Sequence, residues 1–560
     1  IPTALHYSSS HCAGWLSPLF FGVLVTERME ATMDTTMKTS GSGGGGAAGI
    51  RRAAKCQEII HIQVGKAGNQ FGHEFWKDVC EEHYIDYQNR STLGEYQGHD
   101  DLFSEHLGVF FNEGSGRPGG PSMWVPRAIL VDVNMGDLEQ ITSQDLGRLY
   151  RPENIIGNDE GSGNCYAKAF HTEGPDLADR CLENVRKEFE RCDCLQGVQF
   201  CHAVSGGAGS GLTGLLLKTL SDYLGQSKSC IMQTFTLVPA PGFPDFVIAP
   251  YNAALAIQDL LEYTHQVFLY DNLALTEIVQ KSLEKDCPKM QELNNIIALC
   301  MSTITSGLRF SGPLNCDLRN MQTNLVPFKN AHFLISGFAP LTAETSKQFR
   351  KTSVLDLSQQ MFSKDNVCVK CDPLNPGDLR EGIMRARFLA SWACWRGPHI
   401  KSAEVNKVLY GIQKPKSRFD KYFPDWIPNA IGANICSVEH REQGTCVCYV
   451  SNNTAVHEVF DRIKWQWDAM YKARSHLHVF MQDGISAEDM MESRNIMQYI
   501  IDAYCEFARW EDKLFEEGVG SGRPVINDAA VDNEEHHKIL QELQQLDQGQ
   551  MYIDSINARG

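Results

Sequence analysis

No apolar run in this chain reaches the ~18 residues that a membrane-spanning helix needs. The longest candidate, Trp15 to Val25, is short and interrupted by Ser17, Pro18 and Gly22. It also lacks the basic stretch that opens a signal peptide. Positive charge is scarce, with 51 Lys and Arg against 69 Asp and Glu and a net charge of −18. Such a balance argues against non-specific nucleic-acid binding, which needs clustered basic side chains. Cysteine is not scarce, but the 19 residues are scattered along a long chain. Reduced, buried thiols of a cytosolic protein are the better reading. What remains is ordinary for a globular protein: 42% hydrophobic and 21% charged residues over 560 positions. That length suits roughly two to four domains with buried cores. The first residue is Ile1 rather than Met, so residues 1–28 read as upstream sequence translated in frame, with Met29, Met33 or Met37 as the start.

Composition divides the rest. Thr39 to Ala48 is Gly- and Ser-rich and reads as a flexible linker, so 1–55 is expected to be a disordered or non-native extension. From 56 to 271, strand-like runs such as Glu58–Val64, Arg127–Val133, Val198–Val204 and Ile231–Val238 alternate with helical ones. This predicts βαβ units and a parallel sheet covered on both faces. Residues 272–454 read as a second α/β domain, with strands such as His332–Phe338 and Thr445–Val450. Over 455–517, Val456, Val459, Phe460, Ile463, Met470 and Tyr471 recur at helical spacing. Ser486-Ala-Glu-Asp489 then resembles a capping box ahead of Ile496, Ile500, Tyr504 and Phe507. A helical hairpin packed on the body follows, and 518–560 reads as a mobile polar tail.

The most informative stretch is Ser205-Gly206-Gly207-Ala208-Gly209-Ser210-Gly211, between a strand-like and a helix-like run. Glycines allow close backbone approach, and consecutive N–H groups at a helix start attract an anion. Gly209-Ser-Gly-Leu-Thr-Gly214 satisfies G-x-G-x-x-G, yet the next strand ends Thr236-Leu-Val-Pro239 without the acid a dinucleotide site expects. No Gly-Lys-Ser/Thr follows, so Walker A is excluded as well. A structural glycine turn and a nucleoside-triphosphate site of another design stay open.

These residues resemble the tubulin superfamily, whose signature Gly-Gly-Gly-Thr-Gly-Ser-Gly is matched at five of seven positions. The resemblance extends through Gly65-Lys-Ala-Gly-Asn-Gln-Phe-Gly72, Val125 to Asp132, Gly161-Ser-Gly-Asn164, Thr172-Glu-Gly174 and Cys192-Asp-Cys-Leu-Gln-Gly197. It continues through Pro250-Tyr-Asn252, Asp271-Asn272, Leu314 to Arg319, Asn324 to Phe328, Gly337 to Leu341, Gln359 to Phe362 and Asn453-Thr-Ala455. It spans about residues 56–515 and is nearest to the β branch, as a divergent member. The implied fold is α/β: a Rossmann-like GTP-binding domain with a parallel sheet, a second α/β domain and a C-terminal helical hairpin.

The resemblance implies GTP or GDP at the carboxyl ends of the strands. Gly65, Lys66 and Ala67 of the first loop, Asn164 of the third and Ser205 to Gly211 would hold phosphates and ribose, with Asp245 in a later loop. Asn272 and Asn294, 22 residues apart as in the family, would hydrogen-bond the guanine edge. Met290 stands where a Tyr stacks on the base, and Ala249 where a Glu binds ribose. Ala208 replaces a Thr, losing a hydroxyl contact worth about 1 kcal/mol. Asp132 remains near the magnesium position, while Asn134 replaces a Glu and Lys66 a Gln. Both changes make the site more positive, by up to roughly 4 kcal/mol for two charges at close range, so Lys66 is expected to stand partly in place of the metal. A decayed, weakly binding site is the alternative. In the family, hydrolysis is completed in trans by a loop matched here by Asn315, Asp317 and Asn320. Asn320 is an uncharged amide and a poor general base, so this subunit is not expected to promote hydrolysis in a neighbour efficiently. Expected partners are an α-tubulin-like subunit and the microtubule polymer in the cytoplasm, without nucleic acid or membrane. The alternative is a specialised tubulin of centrioles, basal bodies or axonemes, for which the inserted Gly114 to Gly120 and the lack of a Glu-rich tail also speak.

Overall fold

The computed structural model describes residues 57–516, apart from 115–121, 226–229, 241–245, 286, 315–316, 342–352, 378–383, 415–416, 418, 425–426, 428–429 and 442. The expected linker, the polar tail, most of the inserted loop, Asp245 and Asn315 lie outside the described residues. In chain order the strands are β1 (Glu58–Val64), β2 (Phe111–Gly114), β3 (Met123–Pro126), β4 (Ala128–Asp132), β5 (Ile155–Gly157) and β6 (Leu195–Ala203). They continue with β7 (Ile231–Val238), β8 (Gln266–Asp271), β9 (Phe333–Ala339), β10 (Phe388–Arg396), β11 (Ile431–Cys436) and β12 (Cys446–Asn453). β2 and β3 form a separate antiparallel hairpin. The other ten make one sheet in the order β11-β10-β12-β9-β8-β7-β6-β1-β4-β5.

From β5 to β9 every pairing is parallel. β12 then runs antiparallel to both β9 and β10, and β11 is parallel to β10. The mostly parallel α/β architecture expected from the alternation is therefore present. The strands expected for a second α/β domain extend the same sheet. The inner strands are buried throughout because both faces are covered: Ile60, Ile62 and Val64 of β1 enter one hydrophobic cluster and Ile59 another.

Helices that matter for the site are α1 (Gly65–Glu82), α2 (Met135–Thr142), α3 (Thr213–Leu224), α4 (Ala249–Tyr263), α5 (Asn272–Lys281), α6 (Met290–Arg309) and α7 (Leu318–Leu325). Near the C-terminus, α8 (His457–Lys472) and α9 (Ala487–Glu516) pack against α4 and each other. Val459, Phe460 and Ile463 of α8, with Ile500 and Tyr504 of α9, are buried as the helical spacing predicts. The capping box forms: Ser486 Oγ accepts from Asp489 N at 3.1 Å, and Asp489 Oδ2 from Ser486 N at 2.8 Å. A buried ion cluster ties distant parts of the chain. Glu82 of α1 accepts from Arg309 of α6 at 2.6 Å and Arg396 of β10 at 2.8 Å. Burial opposes ionisation of Glu82, but Arg396 and then Arg309 outweigh it and hold the carboxyl well below its usual range.

Candidate functional site

The site is built where β1, β4 and β6 end. β1 passes into α1 at Gly65, whose φ of +74° is in the left-handed region that glycine adopts freely. A Cβ there would lie 2.9 Å from the backbone nitrogen of Gly209, so the first loop and the glycine loop touch main chain to main chain. A Cβ at Gly207 would come within 2.8 Å of Cys165 N, in the third loop. Three loops thus meet at close backbone approach, with the Ser162 hydroxyl also beside Gly207. The glycine spacing that suggested a cradle has a packing cause at Gly207 and Gly209, whereas Gly206 meets only Phe246, at 3.8 Å.

From Ala208 to Leu212 the chain makes a wide π-type helical turn and continues into α3. The opening amides of a helix have no partner within it and carry its partial positive charge. Ser210 turns inward, its hydroxyl donating to Gly206 O at 2.5 Å and its N–H to the same oxygen at 3.1 Å. Beneath the loop, His202 Nδ1 donates to Gly209 O at 2.8 Å, and Nε2 accepts from the Thr236 hydroxyl at 2.9 Å. Burial lowers the His202 pKa to about 4, so the ring is a neutral prop at pH 7. Asn252 of α4 fastens two loops together. Its Nδ2 donates to Asn164 O at 2.7 Å and Ser205 O at 3.0 Å, and its Oδ1 accepts from Tyr166 N at 3.0 Å. Asn164 itself has φ +59°.

The charge arrangement differs from the simple gain of one ammonium. Lys66, exposed at the start of α1, pairs with Asp137 of α2 at 2.9 Å. Asn134 caps α2, its Oδ1 accepting from Gly136 N at 3.1 Å and its Nδ2 donating to Asp137 at 3.2 Å. Asp132 at the end of β4 is buried, and its Oδ2 has no hydrogen-bond partner. Burial raises its pKa to about 7. A buried carboxylate oxygen in want of a partner fits a nearby cation or its hydration water. Ala67 is half-buried and packs against the hydrophobic core.

At the far end of the site, Asp271 caps α5 by accepting from Leu273 N at 2.9 Å, and Arg462 of α8 holds its other oxygen at 2.8 Å. Asn272 is therefore the first residue of a firmly capped helix, and it is buried. Met290 opens α6 and is 44% exposed; Asn294, four residues on and on the same face, is buried. Ala249, at the start of α4, is buried and offers no polar group toward a ribose.

Asp317 and Asn320 are not with these groups. Asp317 precedes α7 and accepts from Gln57, just ahead of β1, at 3.3 Å. Leu318 reaches Gly197 near the beginning of β6. They belong to the amino ends of the strands whose carboxyl ends carry the glycine loops, a strand length of roughly 20 Å away. Asn320 is exposed. The sequence reading missed Asp137, His202 and Arg462. Only Asp137 left a local signal, three residues beyond an Asn that reads as a helix cap.

The sequence of the chain matches known proteins. A family model described as the GTPase domain of the Tubulin/FtsZ family matches residues 58–280, and one described as the Tubulin C-terminal domain matches 330–465. The chain is 37% identical over 451 residues to the tubulin beta-3 chain of Echinococcus multilocularis, covering 80% of this chain and 96% of the relative. It is equally similar, at 37% over 451 residues, to a tubulin beta-3 chain from an oomycete-like species (strain MacKay2000), covering 80% and 95%.

Proposed function

The chain belongs to the tubulin family, and we propose that it is a guanine-nucleotide-binding structural subunit of the microtubule cytoskeleton that assembles head-to-tail with α-tubulin-like subunits in the cytoplasm. The observation that carries this is the three-loop cradle: Gly65 against Gly209 and Gly207 against Cys165, at the start of a helix and at the carboxyl ends of parallel strands. The phosphates lie on the backbone amides of 205–211, and Asn272 and Asn294 take the guanine edge. Asn164 reaches the ribose side. A magnesium ion would be held near Asp132 and would neutralise phosphate charge. Lys66 supplies part of that charge once it leaves Asp137.

Head-to-tail pairing draws support from the opposed positions of the cradle and α7. One face carries the nucleotide loops and the other carries Asp317 and Asn320, so each subunit meets unlike surfaces. Such heterologous contacts generate open filaments. We divide the chain into a nucleotide domain over 56–271, an intermediate domain over 272–454 and a helical domain over 455–517. The test is the nucleotide carried by the purified protein and its affinity for GTP with and without chelator. A protein that emerges nucleotide-free and binds neither GTP nor GDP refutes the reading.

The Lys66–Asp137 pair, Ala249 and Met290 favour a second reading, a specialised subunit of centrioles, basal bodies or axonemes outside bulk microtubules. A tagged copy decides between them, by labelling along all microtubules or at discrete bodies.

A further inference from the structure

Cys300 of α6 lies with its sulfur 3.8 Å from that of Cys368, and both are fully buried. Cys448 of β12 also bonds to Cys300, so three thiols meet where α6 crosses the sheet. Among the described residues no group of three His, Cys, Asp or Glu side chains is arranged to hold a metal ion. The chemistry left to touching thiols is oxidation to a disulfide, which needs sulfur atoms in line and close.

The position of the pair gives that chemistry a consequence. Cys368 lies in a short strap beside the end of β8 and the middle of β9: its N–H donates to Ser336 O at 2.8 Å, and its carbonyl accepts from Asp271 N at 2.9 Å. Asp271 is the cap of α5 and precedes Asn272. Cys300 sits six residues beyond Asn294 on α6, about 9 Å along the helix axis. Each sulfur is thus fixed to an element that presents one of the two asparagines. A cavity of about 140 Å³, lined by Val367, Val369 and Cys371 of the strap and by Glu277 and Glu458, opens on either side of Cys368 in sequence. It leaves the strap room to shift.

We propose that Cys300 and Cys368 form a reversible disulfide that displaces the strap against α6 and weakens guanine binding; the second half rests on the base-binding reading of Asn272 and Asn294. With hydrogen peroxide as oxidant, the Cys300 sulfur attacks one peroxide oxygen. The O–O bond breaks, and the departing hydroxide leaves as water with the thiol proton. The Cys368 sulfur then attacks the resulting sulfenic acid at sulfur, the S–O bond breaks, and a second water leaves with the Cys368 proton. Two thiols are oxidised and one peroxide is reduced to two waters. The bond from Cys368 favours the Cys300 thiolate, but the bond to Cys448 and burial outweigh it and raise its pKa well above the usual thiol range. Cys368 is raised by its bond to Cys300 and then by burial. Both are neutral in the closed protein, so oxidation is slow and waits on local opening. Closing the sulfurs from 3.8 Å to bonding distance moves them about 1.8 Å together.

The full-length protein is treated with hydrogen peroxide, digested without reduction and read by mass spectrometry, while a fluorescent GDP analogue reports affinity before oxidation, after it, and after dithiothreitol. A linked Cys300–Cys368 peptide and a loss of affinity of about tenfold, restored by reductant, support the proposal. Cys368→Ala should bind the analogue normally and ignore peroxide. Oxidation of exposed Cys194 and Cys287 without the linked peptide overturns the disulfide. The linked peptide with unchanged affinity overturns its coupling to the base. If the reduced protein binds no analogue at all, the base-binding reading fails, and the peptide alone still decides whether the disulfide forms.

Discussion

Asp259 of α4 is partly buried with one strong partner, the Tyr166 hydroxyl at 2.6 Å. Burial raises its pKa from 3.8 to about 7, and the tyrosine bond only partly offsets that. In the unfolded chain the group ionises near pH 4, while in the folded chain it holds its proton to about 7. The stability it favours is therefore complete below pH 4 and falls as pH rises to 7. Asp259→Asn removes the dependence. We predict that the variant gains about 2 kcal/mol at pH 8, less than the ~4 kcal/mol implied by the shift, because the added amide protons need partners. The gain should vanish near pH 4; urea midpoints across this range measure it, and parallel pH curves would refute it. At the nucleotide end, Asp137→Asn should free Lys66. Affinity for GDP in chelator should rise about fivefold, the scale of one exposed ion pair. Unchanged affinity in a titration would mean that Lys66 does not face the phosphates. Neither pairing was legible in the sequence, since Tyr166 with Asp259 and Lys66 with Asp137 meet only once separate elements pack. The glycine loop was legible because its spacing is local. Its packing cause at Gly207 was not, because that cause lies in another loop.

Elements were read best where one period dominates. α8 and α9 repeat buried residues at helical spacing, and the cap at Ser486 is written in four consecutive residues. Ser486→Ala should cost about 1 kcal/mol in the thermal unfolding of the full chain, as other cap losses do. A loss well under half of that would show that packing of α9 alone fixes its start. The wide turn at Ala208–Leu212 had no such signature, because a shift in hydrogen-bond register leaves side-chain spacing almost unchanged. Asn252 lay within a quoted motif, yet its task appeared only with the loops in place. Asn252→Ala removes three bonds that hold the third loop to the glycine loop. It should weaken nucleotide binding at least about tenfold while leaving far-ultraviolet dichroism unchanged. Loss of the helical signal instead would mean that the staple supports the whole fold.

At the scale of the molecule, the fold class and family were open to reading over most of the length, whereas the continuity of the sheet was not. Which strand neighbours β9 is settled by β12 returning antiparallel more than a hundred residues later, and no local pattern encodes that. Assembly is tested at this scale too. Mixed with α-tubulin, the protein should co-pellet, while its Asn320 face adds little phosphate release beyond that of α-tubulin alone. Brisk release would refute the view that an amide at this position fails to activate water. The opposed ends of β1 and β6 have one more consequence. In a filament joined through those ends, a pull along its axis runs down covalent strands, and neighbouring strands resist by sliding, so many hydrogen bonds must yield together. Joined in that way, the chain would carry tension lengthwise, like fibres laid along a rope rather than across it.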